Sequence, residues 1–96
     1  MPEDKVKLEE KHGIVLTRIK YTNGIRVVAE IGKFSVSLAI FDNYLVTISE
    51  TAKGVRGKKI QLSPKETKKI YKKLMTVKNL EDFNNLLAEL IREYQI

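Results

Sequence analysis

The chain has 96 residues, 43% of them apolar and 31% charged. That describes one globular domain with a single core, and it excludes both a disordered tail and a substrate domain standing beside a cofactor domain. It contains no cysteine, so disulfides, thiolate catalysis and Cys-ligated zinc are excluded and a cytoplasmic location is the natural expectation. No apolar run approaches the ~20 residues a membrane-spanning helix needs, and the first eleven residues lack the apolar centre of a signal peptide.

The net charge of +6 is unevenly placed. Residues 1–50 hold seven basic and seven acidic side chains, residues 51–78 hold ten basic and one acidic (Glu66), and residues 79–96 hold one basic and four acidic. A positive segment of this density repels itself, and the commonest compensating partner is a polyphosphate backbone. The alternative is a solvated Lys-rich helix kept for solubility or heat tolerance. The scarcity of Met, the lack of Trp and Cys, and the abundance of Lys, Glu and Ile fit thermophile usage.

Residues 1–12 are polar with mixed charge and read as a flexible N-terminal arm or a short helical turn. From Gly13 the pattern becomes β. Residues 14–21, 25–31, 34–41 and 44–50 are β-branched and aromatic runs with short breaks, which predicts a four-stranded antiparallel meander. Asn23-Gly24 is the strongest hairpin signal, and Gly32-Lys33 and Asp42-Asn43 are further two-residue turns. Counting outward from these turns pairs Tyr21 with Arg26, Ile31 with Phe34, Ile40 with Leu45 and Phe41 with Tyr44. One face then collects Leu16, Ile25, Val27, Leu38, Ile40 and Leu45 together with Ala29, Ile31, Phe34 and Val36. The other collects Tyr21, Arg26, Phe41 and Tyr44 among small, polar and β-branched residues. It is too apolar for an ordinary wet face and too polar for a second core.

Residues 51–59 read as a mobile loop with Gly54, Gly57 and the cations Lys53, Arg56, Lys58 and Lys59. Ser63-Pro64-Lys65-Glu66 is a capping box that starts a helix running to about Met75. On that helix Lys65, Lys68, Lys69, Lys72 and Lys73 share one arc, opposite Ile70, Tyr71, Leu74 and Met75. Asn79 caps a last helix whose Leu80, Phe83, Leu87, Leu90 and Tyr94 repeat at 3, 4, 3 and 4, the spacing of a coiled-coil seam. Leu86 and Ile91 widen the stripe, which predicts a helix shared between the sheet and a second subunit in a homo-oligomer.

Catalytic chemistry finds little support. The single histidine, His12, has no acid and nucleophile at triad spacing, and no acidic cluster for Mg²⁺ is visible. Residues 53–58 contain glycines and cations but lack the strand-to-helix setting of a phosphate cradle. A non-enzymatic protein without metal or cofactor is expected. A basic surface beside aromatic side chains suits single-stranded DNA or RNA, whose phosphates follow cations and whose bases stack on rings. Lys53, Arg56, Lys58, Lys59, Arg26, Tyr21, Phe41 and Tyr44 are the expected contacts. A protein interaction module using the apolar second sheet face is the alternative.

A meander followed by a basic Gly57-Lys58-Lys59-Ile60-Gln61-Leu62-Ser63-Pro64-Lys65-Glu66 segment into an amphipathic helix resembles two single-stranded-DNA-binding groups. These are the positive cofactor four coactivator and the archaeal ThermoDBP proteins with their smaller relatives. The similarity covers residues 13–75 in layout and residues 57–66 in motif. It implies a dimer that binds single strands through basic and aromatic sheet residues. The coactivator's basic strand and loop positions would fall on Lys53, Arg56, Lys58 and Lys59. The helix over residues 80–96 departs from the coactivator pattern and suits the ThermoDBP type.

Overall fold

The computed structural model describes residues 4–96. Six strands of equal length make one antiparallel sheet in sequence order: β1 (Asp4–Lys11), β2 (Ile14–Tyr21), β3 (Gly24–Ile31), β4 (Phe34–Phe41), β5 (Tyr44–Thr51) and β6 (Gly54–Gln61). Two helices follow, α1 (Pro64–Thr76) and α2 (Leu80–Tyr94). The class is α+β, but the meander has six strands where the sequence predicted four. Both additional strands are edges. The predicted N-terminal arm is β1 over the described residues, and Met1, Pro2 and Glu3 lie outside them. The predicted loop over residues 51–59 is one turn and most of β6.

The register obeys a simple count, because eight-residue strands alternate with two-residue turns. Partners pair as Val15 with Glu30, Ile31 with Phe34, Phe41 with Tyr44 and Thr51 with Gly54. Left-handed conformations mark the turns at His12 (φ 55°), Gly13 (79°), Gly32 (57°) and Asp42 (54°), and one more, Gln95 (55°), ends α2. One hairpin departs from the predicted register. Its central residues are Thr22 and Asn23, so Tyr21 pairs with Gly24 and Arg26 lies opposite Ile19. The correction is a slip of two residues, which moves partners but leaves every side chain on its predicted face.

Both helices cover the face that carries Leu16, Ile25, Val27, Leu38, Ile40 and Leu45, and Ile70, Leu74, Phe83, Leu86 and Leu90 complete the core. Each fully buried side chain of this size contributes about 1.5–3 kcal/mol. Of the two partners expected for the α2 seam, sheet and second subunit, the sheet takes the larger share. Phe83 and Leu90 are interior to the single chain, and Leu80, Leu87 and Tyr94 are half-buried against the same core. Apolar spacing of 3 and 4 records a stripe that must be covered, and here the sheet covers it.

Charged side chains of the sheet hold the helix ends. Arg18 stands on the helix-bearing face, and its Nη1 donates to the carbonyls of Met75 (3.0 Å) and Val77 (3.1 Å), at the end of α1 where carbonyls lack helical partners. Glu9 Oε1 accepts from the Leu80 amide at 2.7 Å and Asn79 Oδ1 from the Asp82 amide at 2.8 Å, which satisfies the start of α2. The predicted capping box at α1 is complete, with Ser63 Oγ accepting from the Glu66 amide and Glu66 Oε1 from the Ser63 amide. The helices are joined to each other by Lys73 with Glu89 and by the Tyr94 hydroxyl donating to Glu66 Oε2 at 2.7 Å.

Burial and the hydrogen bond to Glu66 push the Tyr94 phenol up from 10.0 to about 12. The Ser63 amide and the Tyr94 hydroxyl hold Glu66 below its ordinary 4.5. A raised phenol favours the protonated form in the folded state, so its contribution is complete below pH 10 and disappears as pH rises through 12. A lowered carboxyl contributes above its ordinary range and loses that contribution on acidification. Urea melts of the wild type and Tyr94→Phe, taken between pH 8 and pH 12, should therefore converge at the alkaline end. A stability gap constant across that range would show that the phenol proton is not the linked group.

Candidate nucleic-acid interface

The second sheet face carries no helix. Its side chains fall into cross-strand rows set by the register. At the end of the sheet formed by the Thr22-Asn23 and Asp42-Asn43 turns, one row runs Tyr21, Gly24, Phe41, Tyr44 and Gln61. The next row runs Lys5, Ile19, Arg26, Ala39, Val46 and Lys59. Three aromatic rings thus share a row that borders a row of three cations.

Gly24 makes the aromatic row possible. With no side chain between them, the Tyr21 and Phe41 rings approach to 5.2 Å between centroids at 51°, within the range of favourable tilted pairs. A Cβ on Gly24 would lie 2.1 Å from the Ile40 carbonyl oxygen and 2.6 Å from Phe41 Cδ1. Phe41 and Tyr44 are direct cross-strand partners, and Lys59 Nζ sits 4.2 Å from the centroid of the Tyr44 ring. Such an open cation–π contact is worth about 0.5–1 kcal/mol. Lys59 can leave it for a phosphate at small cost, uncovering the ring.

The middle of this face lies low. Ser37 is 1% exposed and Ala39 2%, and the larger Ile19 and Val28 on the same face are buried with them, although no helix packs on this side. Arg26 Nε and Ser37 Oγ are buried without a hydrogen-bond partner among the described residues. A donor held in such a trough gains more from an anion than a freely solvated one does.

Strand alternation divides the cations that looked like one cluster in sequence. Lys59 shares the open face with the aromatic rings. Arg56 and Lys58 belong to the helix-bearing face, and Lys58 Nζ donates to the Gln95 carbonyl at 2.8 Å, capping the end of α2. Lys53 occupies the β5–β6 turn, at the opposite end of the sheet from the rings. The exposed lysines of α1 are Lys65, Lys68, Lys69 and Lys72, while the half-buried Lys73 turns toward Glu89. The structure therefore brings together Tyr21, Arg26, Phe41, Tyr44 and Lys59 from the predicted set, and leaves Lys53, Arg56 and Lys58 apart from them. Lys5 and Gly24 were not predicted. The alternation of Lys5, Val6, Lys7 and Leu8 is the signal that would have placed Lys5 in a strand.

Neither helix is long and apolar enough to cross a membrane, among the described residues. Compared with known protein families, with curated proteins and with solved structures, the chain matches none.

Gly24→Ala tests the construction of the aromatic row. Overpacking of this kind costs typically 1–3 kcal/mol, so the midpoint of urea unfolding should fall accordingly. An unchanged midpoint would mean that the β3–β4 backbone absorbs the methyl group without disturbing the ring pair.

Proposed function

We propose that this protein binds single-stranded nucleic acid without catalysing a reaction on it, through the open face of its sheet. The observation that carries the proposal is the row of Tyr21, Phe41 and Tyr44 on an uncovered face beside the row of Lys5, Arg26 and Lys59. Flat rings offer stacking to any unpaired base, worth about 1–3 kcal/mol each, and the adjoining cations offer the phosphates their counter-charge. A base locked inside a duplex cannot lie on such a row, so single strands are preferred. Of the basic positions that the resemblance to positive cofactor four implies, only Lys59 lies on this face, so the proposal rests on the two rows and not on the resemblance.

Affinity for a mixed single strand should fall with salt at about −0.7 in log–log slope per phosphate neutralised, which for three contacts is about −2. Replacing Arg26 and Lys59 by Ala should flatten that slope. Replacing Lys53 and Arg56 should not, because they lie elsewhere. Changing Phe41 and Tyr44 together to Ala should cost about 2–5 kcal/mol of affinity. A titration in which duplex competes equally with single strands, or in which the slope is flat, overturns the proposal.

A second partner, another copy of this chain, is favoured by a different surface. Ile31 (45% exposed), Phe34 (52%), Val36 (37%) and Ile91 (45%) leave large apolar groups in water on the helix-bearing side. Val36 joins the groove containing Ile31 and Phe34 to the groove beside Leu87 and Ile91. A continuous apolar patch of this size suits an isologous contact, and it replaces the α2 seam as the proposed interface. Light scattering of concentrated protein should give a dimer mass that Phe34→Glu halves. A wild-type monomer at high concentration would remove the interface.

A further inference from the structure

Beyond the cation row and one further row, which runs Lys7, Thr17, Val28, Ser37, Ile48 and Gly57, the open face has an acidic row. Glu10, Glu30 and Glu50 lie in the same cross-strand line, through Val15 and Ser35, at the end of the sheet opposite the aromatic rings. Glu30 and Glu50 are exposed, and Glu10 pairs with Lys7 at 2.8 Å, which lowers its pKa. Along one strand Glu30 is four residues from Arg26, about 14 Å at ~3.4 Å per residue, and the cation row is about 7 Å from the aromatic row. The face thus passes from rings through cations and a mainly uncharged row to acids over about 20 Å.

On the footing of the proposed function, we infer that the single strand crosses the β-strands in one fixed orientation. Its bases lie toward Tyr21, Phe41 and Tyr44, its phosphates follow Lys5, Arg26 and Lys59, and the glutamate row fences the backbone out of the far end. The reverse placement would set phosphates against three carboxylates and leave the bases without rings. From Lys5 on one edge to Lys59 on the other, the track spans five strand spacings, about 24 Å at ~4.8 Å each. That accommodates a short footprint of about four nucleotides, the low end for sheet-based single-strand sites. Arg26, with its unpartnered Nε, sits between the two edge cations and contacts the middle of the track.

Screening decides what the fence does. At physiological ionic strength the Debye length is about 8 Å, so carboxylates about 14 Å from the cation row barely weaken a backbone already seated there. They act on a strand that strays toward them. Removing them should leave a tetranucleotide's affinity within about twofold and should change how a long strand binds.

The test uses the full chain with Glu30→Lys, Glu50→Lys, and with Glu30→Gln, Glu50→Gln as the milder pair should the first fail to fold. On a long homopolymeric single strand the lysine pair should steepen the salt slope by about 1.4, from two new phosphate contacts, and enlarge the occluded site. The glutamine pair should enlarge the site with little change of slope. A tetranucleotide should hardly distinguish the variants from wild type. In parallel, Phe41→Ala, Tyr44→Ala should weaken a base-bearing strand and leave an abasic strand of equal length unaffected, whereas Arg26→Gln, Lys59→Gln should weaken both. An unchanged site size and slope in the glutamate variants, or equal loss on abasic and base-bearing strands from the aromatic pair, overturns the orientation while leaving single-strand binding standing. Absence of any single-strand binding by the wild type instead overturns the proposed function itself.

Discussion

The constraint on which the rest of this structure depends is the constant spacing of strand and turn. Eight paired residues and two turn residues repeat from Ile14 to Gln61, so each row of one strand continues into the same row of every other. A one-residue change in any turn would transfer a strand's apolar set to the opposite face. Since the helices require Leu16, Val27, Leu38 and Leu45 on one side, the register has little freedom. The same requirement fixes which residues remain on the other side, and so the aromatic, cationic and acidic rows follow from packing that they take no part in.

The central four strands and the assignment of their side chains to two faces were legible in the sequence. Period-2 alternation of Val, Ile, Leu and Phe over 14–50 admits few other readings. The edge strands were not legible, for a physical reason. β1 and β6 have one neighbour each and little apolar surface to bury, so their sequences are charged or glycine-bearing. That is also what keeps an exposed edge from pairing with another sheet. Extending the ten-residue spacing past Asp42 would have reached a turn at Ala52-Lys53 and revealed β6. Asn23-Gly24 misled for a related reason. Gly24 is needed where a Cβ would strike the Ile40 carbonyl, one position beyond the turn, so its presence reported crowding and not turn chemistry.

Charge in the sequence overstated the charge free to meet a ligand. Arg18, Lys58 and Glu9 are engaged with helix termini, where they replace partners that backbone groups would otherwise lack. Lys73 is engaged with Glu89. A block of cations in a strand is also divided between two faces, which is why Lys58 and Lys59, adjacent in sequence, have different tasks. The a/d spacing in α2 was sound as a sign of a stripe needing cover, but carries no information on whether sheet or subunit supplies it.

The uninterrupted meander also bears on how quickly the chain can reach this state. Every strand pairs with its neighbour in sequence, so the whole sheet assembles through closures of two-residue loops, each on the microsecond scale for an isolated hairpin. Topologies of such low contact order belong to the fast end of β-containing domains. Among the described residues the side-chain hydrogen bonds that reach from the first strands to the helices are those of Glu9 with the start of α2 and Arg18 with the end of α1. They join the first strands to the last helix pair across most of the chain. The sheet is thus built from local closures, and the attachment of the helix pair to its first strands is the part of the fold that depends on the whole length of the chain.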